Sequence, residues 1–239
     1  MGYVLEQGWH WQWVYRAGGL WMLLLAGILA FQKKETYIHK KPKIDKSFFS
    51  LIREKNLLIL VLITLLGCGT YNGVSLWLVS FLKEIRSFPI FQASLGLSLF
   101  STGLAIGRLL SGWVSSKIGN TKVLLLLLSC LGLALLLFLL TTGSAAILGL
   151  CLMAGLGSSG LYPVALALAG INFPRQSGTT IGILGTSAGI GNMFVPWLMS
   201  VVSQGSSLKD GFLVGHFTAL IALGLVSLHY KRLNNSETK

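Results

Sequence analysis

Charge is what this sequence lacks most. Only 11% of its 239 residues are charged, and only 7 are acidic. A soluble domain carries about twice that charged fraction, so too little polar material is present to cover a soluble fold. No Asp, Glu, Lys or Arg occurs in Asn56–Leu82, Val123–Pro174 or Gln176–Leu208. About 20 apolar residues suffice for one helix to cross the hydrocarbon core, so these runs hold one, two and one crossings. Cysteine is scarce too. Cys68, Cys130 and Cys151 all lie in apolar runs, an odd set without C-x-x-C spacing, which argues against a disulfide framework or a metal site. No Ser/His/Asp set, carboxylate pair, H-E-x-x-H or phosphate-cradling glycine loop appears at usable spacing, so neither an enzyme nor a cofactor is expected. The first residues do not read as a secretory signal, because Glu6, Trp9, Trp11 and Trp13 stand where a basic segment and a short apolar core belong.

What is present is apolar surface and glycine: 53% hydrophobic residues and 29 glycines, with a mean hydropathy of +0.72. The expected fold is an all-α polytopic transmembrane bundle of seven spans. These are Trp13–Phe31, Asn56–Leu82, Phe91–Ser115, Lys122–Thr142, Ala145–Gly170, Gly178–Val202 and Gly211–Tyr230. Turn chemistry separates them at Ser87-Phe88-Pro89, Thr141–Ser144, Asn172-Phe173-Pro174 and Gly205-Ser206-Ser207. Four regions follow: an outer segment with the first helix (1–31), a basic linker (32–55), a six-helix bundle (56–230) and a tail (231–239).

The formal charge of +12 would suggest nucleic acid for a soluble chain. Here the basic residues collect in loops, so the bilayer is the expected partner and nucleic acid is not. Fourteen of them fall in one set of loops and four (Arg16, Lys83, Arg86, Lys209) in the other. Positive loops stay cytoplasmic, which predicts a multi-pass cell-membrane protein with its N-terminus outside and C-terminus inside. Trp9, Trp11 and Trp13 suit the outer interfacial belt, and the Gln32–Lys55 linker suits a surface of anionic headgroups.

The six later spans divide into two sets of three whose middle helices are glycine-spaced. One carries Gly103, Gly107 and Ser111; the other carries Gly178, Gly182, Gly185 and Gly189. Small residues at this spacing let helices pack closely in lipid, and paired triads are what an inverted-repeat transporter shows. All seven acidic residues fall in loops or tails, leaving Arg108 and His216 as the ionisable groups within these spans. Arg108 can bind an anion, snorkel toward the surface or bond a nearby carbonyl. His216 reads as a solvated or hydrogen-bonded side chain near the outer end of the last span, or as a group titrating near neutral pH.

Candidate substrate contacts are Tyr71, Asn72, Ser75 and Trp77 in the second span, Tyr162 in the fifth and Asn192 in the sixth. Amides beside aromatic rings suit a neutral polyhydroxylated solute. The alternatives are interhelical hydrogen bonding for the amides, Ser158 and Ser159, and interfacial anchoring for Trp77. Pro163 can break the fifth helix, and Pro196 removes the backbone hydrogen bond to the Asn192 carbonyl.

The segment Gly107–Lys122 resembles the loop signature of the major facilitator superfamily, G-x-x-x-D-R-x-G-R-R/K. Gly112, Lys117, Gly119 and Lys122 fall on its glycine and basic positions, with Arg108 in the preceding G-R-x-x-x-G ending. The two glycines would permit a tight turn, and the two lysines would hold it and cap helix carbonyls. The acidic gate residue of the family is replaced here by Ser116, which implies a weaker gate contact. Gly8–Trp13 looks like the start of the family's sixth helix, and the linker looks like its central loop. Gly160–Pro163 and Gly178–Trp197 look most like fucose-permease-type and related sugar or drug carriers. The resemblance implies the C-terminal half of such a carrier with the first five helices absent. It would move a sugar-like or drug-like solute by alternating access, opposed by a missing six-helix half or a second copy. A different class also fits: a non-transporting remnant, or an interaction partner in a membrane complex. Seven spans with an outer N-terminus also match retinal proteins and heptahelical receptors, but no lysine lies in the last span and no acid in any span.

Overall fold

The computed structural model describes residues 12–30, 51 and 53–234, and every regular element among them is helical. Trp9, Trp11, most of the basic linker and residues 235–239 lie outside the described residues. The chain divides into two compact units, Met1–Lys41 and Pro42–Lys239. In the first, α1 spans Gln12–Ala30, with the Arg16 guanidinium 5.2 Å from the centre of the Trp13 ring. Its apolar stretch, Tyr15–Ile28, is shorter than the six full-length spans of the second unit.

The second unit contains α2 (Lys55–Glu84), α3 (Ile90–Ile118), α4 (Asn120–Leu140), α5 (Ser144–Ser158) and α6 (Leu161–Asn172). A single 3-10 turn at Pro174–Gln176 leads to α7 (Ser177–Gly205), α8 (Leu208–Leu228) and the short α9 (Tyr230–Asn234). Even the 21-residue α4 and α8 are about 31 Å long at 1.5 Å per residue, enough for the hydrocarbon core. Several helices outrun the expected spans. Lys83 and Glu84 stay helical in α2, and the chain turns only where Ser87 takes φ 54° ahead of Pro89. The last span begins earlier than Gly211 because Ser207 caps it, its hydroxyl accepting from the Asp210 N–H at 3.3 Å.

The fifth span is two helices. Pro163 has no N–H for the Ser159 carbonyl, and the break falls at Ser159-Gly160, where Gly160 sits at φ −99°, ψ −1°. Helicity resumes with Val164 N–H on the Gly160 carbonyl at 2.9 Å.

Packing exchanges partners between the two sets of three. α2, first of its set, lies along α7, the middle of the other; α5 lies along α3, the middle of the first set. α2 also packs on α8, as α5 packs on α4, and the two last helices, α4 and α8, pack on each other. Lipid supplies no hydrophobic drive for this association, so close packing and hydrogen bonds must. At the α3–α5 contact, a Cβ on Gly103 would strike the Leu152 carbonyl, and one on Gly107 the Ser159 hydroxyl. At the α2–α7 contact the glycines are Gly69 and Gly191; a Cβ on Gly69 would lie 2.5 Å from the Gly191 carbonyl, and one on Gly191 would strike the Leu65 carbonyl.

This revises the expected role of the α7 glycine row. Gly178, Gly182 and Gly189 have open space where a side chain would go, and Gly185 meets only the Tyr162 hydroxyl at 3.4 Å. The helix contact is made one face round, at Gly191. Polar bonds reinforce the crossing: Ser187 Oγ donates to the Val61 carbonyl (2.6 Å), and the hydroxyls of Thr70 and Thr218 join α2 to α8 at 2.7 Å. Phe81, Phe138 and Phe212 cluster toward the other end of α2 with centroids 4.3–5.8 Å apart. There Arg86 donates to the carbonyls of Phe138 (2.7 Å) and Leu139 (3.1 Å), neutralising the negative end of α4.

Substitution separates the two kinds of glycine. Gly191→Val should destabilise the bundle by about 1–3 kcal/mol through forced separation of α2 and α7. Gly182→Val, into open space, should cost about 0.5 kcal/mol or less beyond its small propensity change. Thermal unfolding in detergent of the two variants checks this.

Candidate functional site

Halfway along α2 and α7 the bundle leaves a cavity of about 590 Å³. Both triads build it. Cys68 and Tyr71 come from α2, Arg108 from α3, Ser158, Ser159, Leu161, Tyr162 and Pro163 from around the α5–α6 break, and Gly185, Ala188, Gly189 and Asn192 from α7. The break, with Gly185 and Gly189 opposite, makes room. The Tyr162 hydroxyl lies over Gly185, a place that a side chain there would crowd.

The wall is set by a missing backbone bond. Pro196 cannot donate to the Asn192 carbonyl, and Asn72 Nδ2 donates to that oxygen instead, at 2.9 Å. This leaves the Asn192 side chain on the cavity with its Oδ1 buried and unpartnered among the described residues. Ser158 and Ser159 bond within their own helix, to Ala154 (2.8 Å) and Leu156 (2.7 Å) carbonyls, rather than across helices. Arg108 lies on the lining, nearly three turns inside α3.

Of the expected contacts, Tyr71, Tyr162 and Asn192 are thus brought to one cavity. Asn72 is spent on the α2–α7 bond. Ser75 and Trp77 lie outside the lining, and Trp77 packs half-buried against the core. His216 is not solvated: it is 7% exposed, and its Nδ1 has no partner among the described residues.

The loop motif lies at one end of the bundle. Gly119, at φ 92°, makes the turn from α3 into α4, a conformation that favours glycine. Gly112 takes no part in the turn. It sits inside α3 with nothing within 4 Å of a Cβ. Ser116 donates to the Trp113 carbonyl at 2.7 Å, and Lys117 Nζ stands 3.7 Å from the Trp113 ring centre in the last turn of α3. Lys122 is exposed in the first turn of α4, just past Gly119. Sequence reasoning missed the Arg86 clamp, because its position just past α2 signals at most a cap on α2, whereas its partners lie more than fifty residues on, at the end of α4.

Six helices long and apolar enough to cross a membrane, with a cavity among them, are the architecture of a polytopic membrane protein. The chain belongs to the Major Facilitator Superfamily, whose family profile matches residues 1–196 and 80–238. It is 31% identical over 144 residues to an uncharacterized MFS-type transporter of Yersinia pestis, covering 57% of this chain and 35% of that one. It is 30% identical over 131 residues to the glucose/mannose transporter GlcP of Bacillus subtilis, covering 54% and 33%. The matched region thus spans about a third of these relatives' length. The fold is also that of the POT family transporter PepTSo (TM-score 0.66, 17% identity, 74% of this chain and 37% of that one). Crystals of tetrameric PepTSo2 give TM-score 0.64 at 21% identity, with 75% and 41% covered.

Removing the Asn72 amide should leave the Asn192 carbonyl without a donor. Asn72→Ala is expected to lower bundle stability by about 0.6–1.7 kcal/mol, while Ser75→Ala should stay within about 0.5 kcal/mol; denaturant titration in mixed micelles measures both.

Proposed function

We propose that this chain forms one side of a solute carrier working by alternating access. The six-helix bundle α2–α8 rocks against an opposing bundle, supplied by an N-terminal six-helix half or by a second copy. The solute sits between them, against Tyr71, Tyr162 and Asn192. One observation carries the reading: side chains from both triads, far apart in sequence, meet in a single cavity at half depth. The exchanged packing of α2 on α7 and α5 on α3 supports treating residues 56–230 as two related three-helix repeats. Kinship with a glucose/mannose transporter supports a small polar solute, and rings beside an amide match that chemistry.

The turn at Gly119, flanked by Lys117 and Lys122, is the gate on the cytoplasmic side in this reading. The charge distribution supports placing it there, with the C-terminus inside and the N-terminus outside the cell membrane. Without an acid at Ser116, the gate contact relies on Lys117 and the helix ends alone.

The test is labelled-solute uptake into proteoliposomes, using a panel of sugars and small polar drugs. The chain is reconstituted by itself and together with the N-terminal six helices of a relative. Saturable uptake in either preparation is the expected result. Its absence from both would end the carrier reading and favour a non-transporting component of a membrane complex.

A further inference from the structure

The cavity carries one full charge. Among its lining residues only Arg108 carries a formal charge; its side chain is exposed, and no side-chain hydrogen bond or ion pair joins it to another described residue. Nothing on this chain's spans could neutralise it: the acidic residues Glu54, Glu84 and Asp210 lie at helix ends, and Glu6, Glu35, Asp45 and Glu237 lie outside the six spans. A cation at membrane depth without a counter-charge is costly, and such groups mark ion and substrate pathways. The neutral-solute expectation also loses a donor, because the Asn72 amide is bound to the Asn192 carbonyl. The polar and charged residues left on the lining are Arg108, Tyr71, Tyr162 and Asn192, beside Ser158 and Ser159, whose hydroxyls are bonded to the Ala154 and Leu156 carbonyls.

From this set we infer that the solute is a small organic anion bearing a single carboxylate, held by Arg108. The inference rests on the carrier reading and specifies its substrate class. The guanidinium fork matches a carboxylate in two parallel N–H···O bonds. A phosphate ester carries nearly two charges at neutral pH and would leave one unbalanced beside a lone arginine. The phenol of Tyr162 and the amide of Asn192 then serve the solute's uncharged end. A volume of about 590 Å³ falls within the range of small-ligand pockets.

Glucose and glucuronate test it directly, since they share a ring and differ by the carboxylate. Equilibrium binding of each is measured on the purified chain in lipid nanodiscs by saturation-transfer NMR, with glucose 6-phosphate as a third arm. Glucuronate should bind at least tenfold tighter than glucose, and also tighter than glucose 6-phosphate. Arg108→Gln should bring glucuronate and glucose within twofold of each other. Arg108→Lys, which keeps the charge and loses the fork, should retain part of the preference. Lys83→Gln removes a charge at the far end of α2 and should leave the preference unchanged. Helical circular dichroism and the melting temperature of Arg108→Gln establish that the variant is folded.

A wild-type chain that binds glucose as well as glucuronate overturns the assignment, and so does a preference that survives Arg108→Gln. Stronger binding of glucose 6-phosphate overturns the single-carboxylate choice. Binding of none of the three overturns it as well. In each of these cases saturable uptake of any neutral solute by the proteoliposomes would leave the carrier reading standing, so the two failures are distinguishable.

Discussion

In hydrocarbon every backbone carbonyl needs a donor from the protein, and this bundle is arranged around two places where proline withholds one. At Pro196 the cost is met across the helix contact: the Asn72 amide takes the Asn192 carbonyl at 2.9 Å. Near Pro163 the helix itself gives way, and two residues, Ser159 and Gly160, separate α5 from α6. Both events lie at half depth, and both border the same cavity. The site is therefore where the helical ladder is incomplete, which is where irregular backbone is tolerated at membrane depth: buried in protein or beside a polar space.

The remainder of the bundle keeps these two defects in register. α2 is the organising helix, in contact with α3, α6, α7 and α8, and three of its polar side chains or carbonyls, at Val61, Thr70 and Asn72, bond to α7 or α8. Individually such bonds contribute about 0.6 kcal/mol in a membrane. Their value here lies in fixing the rotation of α7, because Gly191 accepts only the backbone of α2 beside it. Turning α7 so that its other glycine row packed on α2 would bury Gly185 and Gly189, which now line the cavity. Packing and cavity are thus alternative uses of glycine on one helix, and Ser187, Gly191 and Val195 decide between them.

Charge divides the molecule along its length. Lys117 and Lys122 mark one end of the bundle, while Arg86 is drawn onto the carbonyl end of α4 at the other. Between them Arg108 is the single formal charge on the cavity lining. It shares that lining with uncharged polar groups, the Tyr71 and Tyr162 phenols, Ser158, Ser159 and the Asn192 amide.

Composition and local covalent chemistry made the membrane class, the long apolar spans and the loss of the Asn192 carbonyl's bond legible, because each depends on the residue and its near neighbours, while the turn at Gly119 was expected from the loop signature the segment resembles. The first span was expected at Trp13–Phe31, and α1 occupies Gln12–Ala30 among the described residues. The faces of the helices were not legible. A lipid-embedded helix is apolar on most sides, so periodicity does not reveal which glycine row packs and which stays open. The Gly178–Gly189 row and Gly191 look alike in sequence, and only the neighbouring Leu65 carbonyl separates them. Likewise nothing local placed Arg108 on the cavity lining, spent Asn72 on a backbone carbonyl, buried His216 or sent Arg86 to the end of α4. Those outcomes rest on partners dozens of residues away, and tertiary packing alone determines which of them meet.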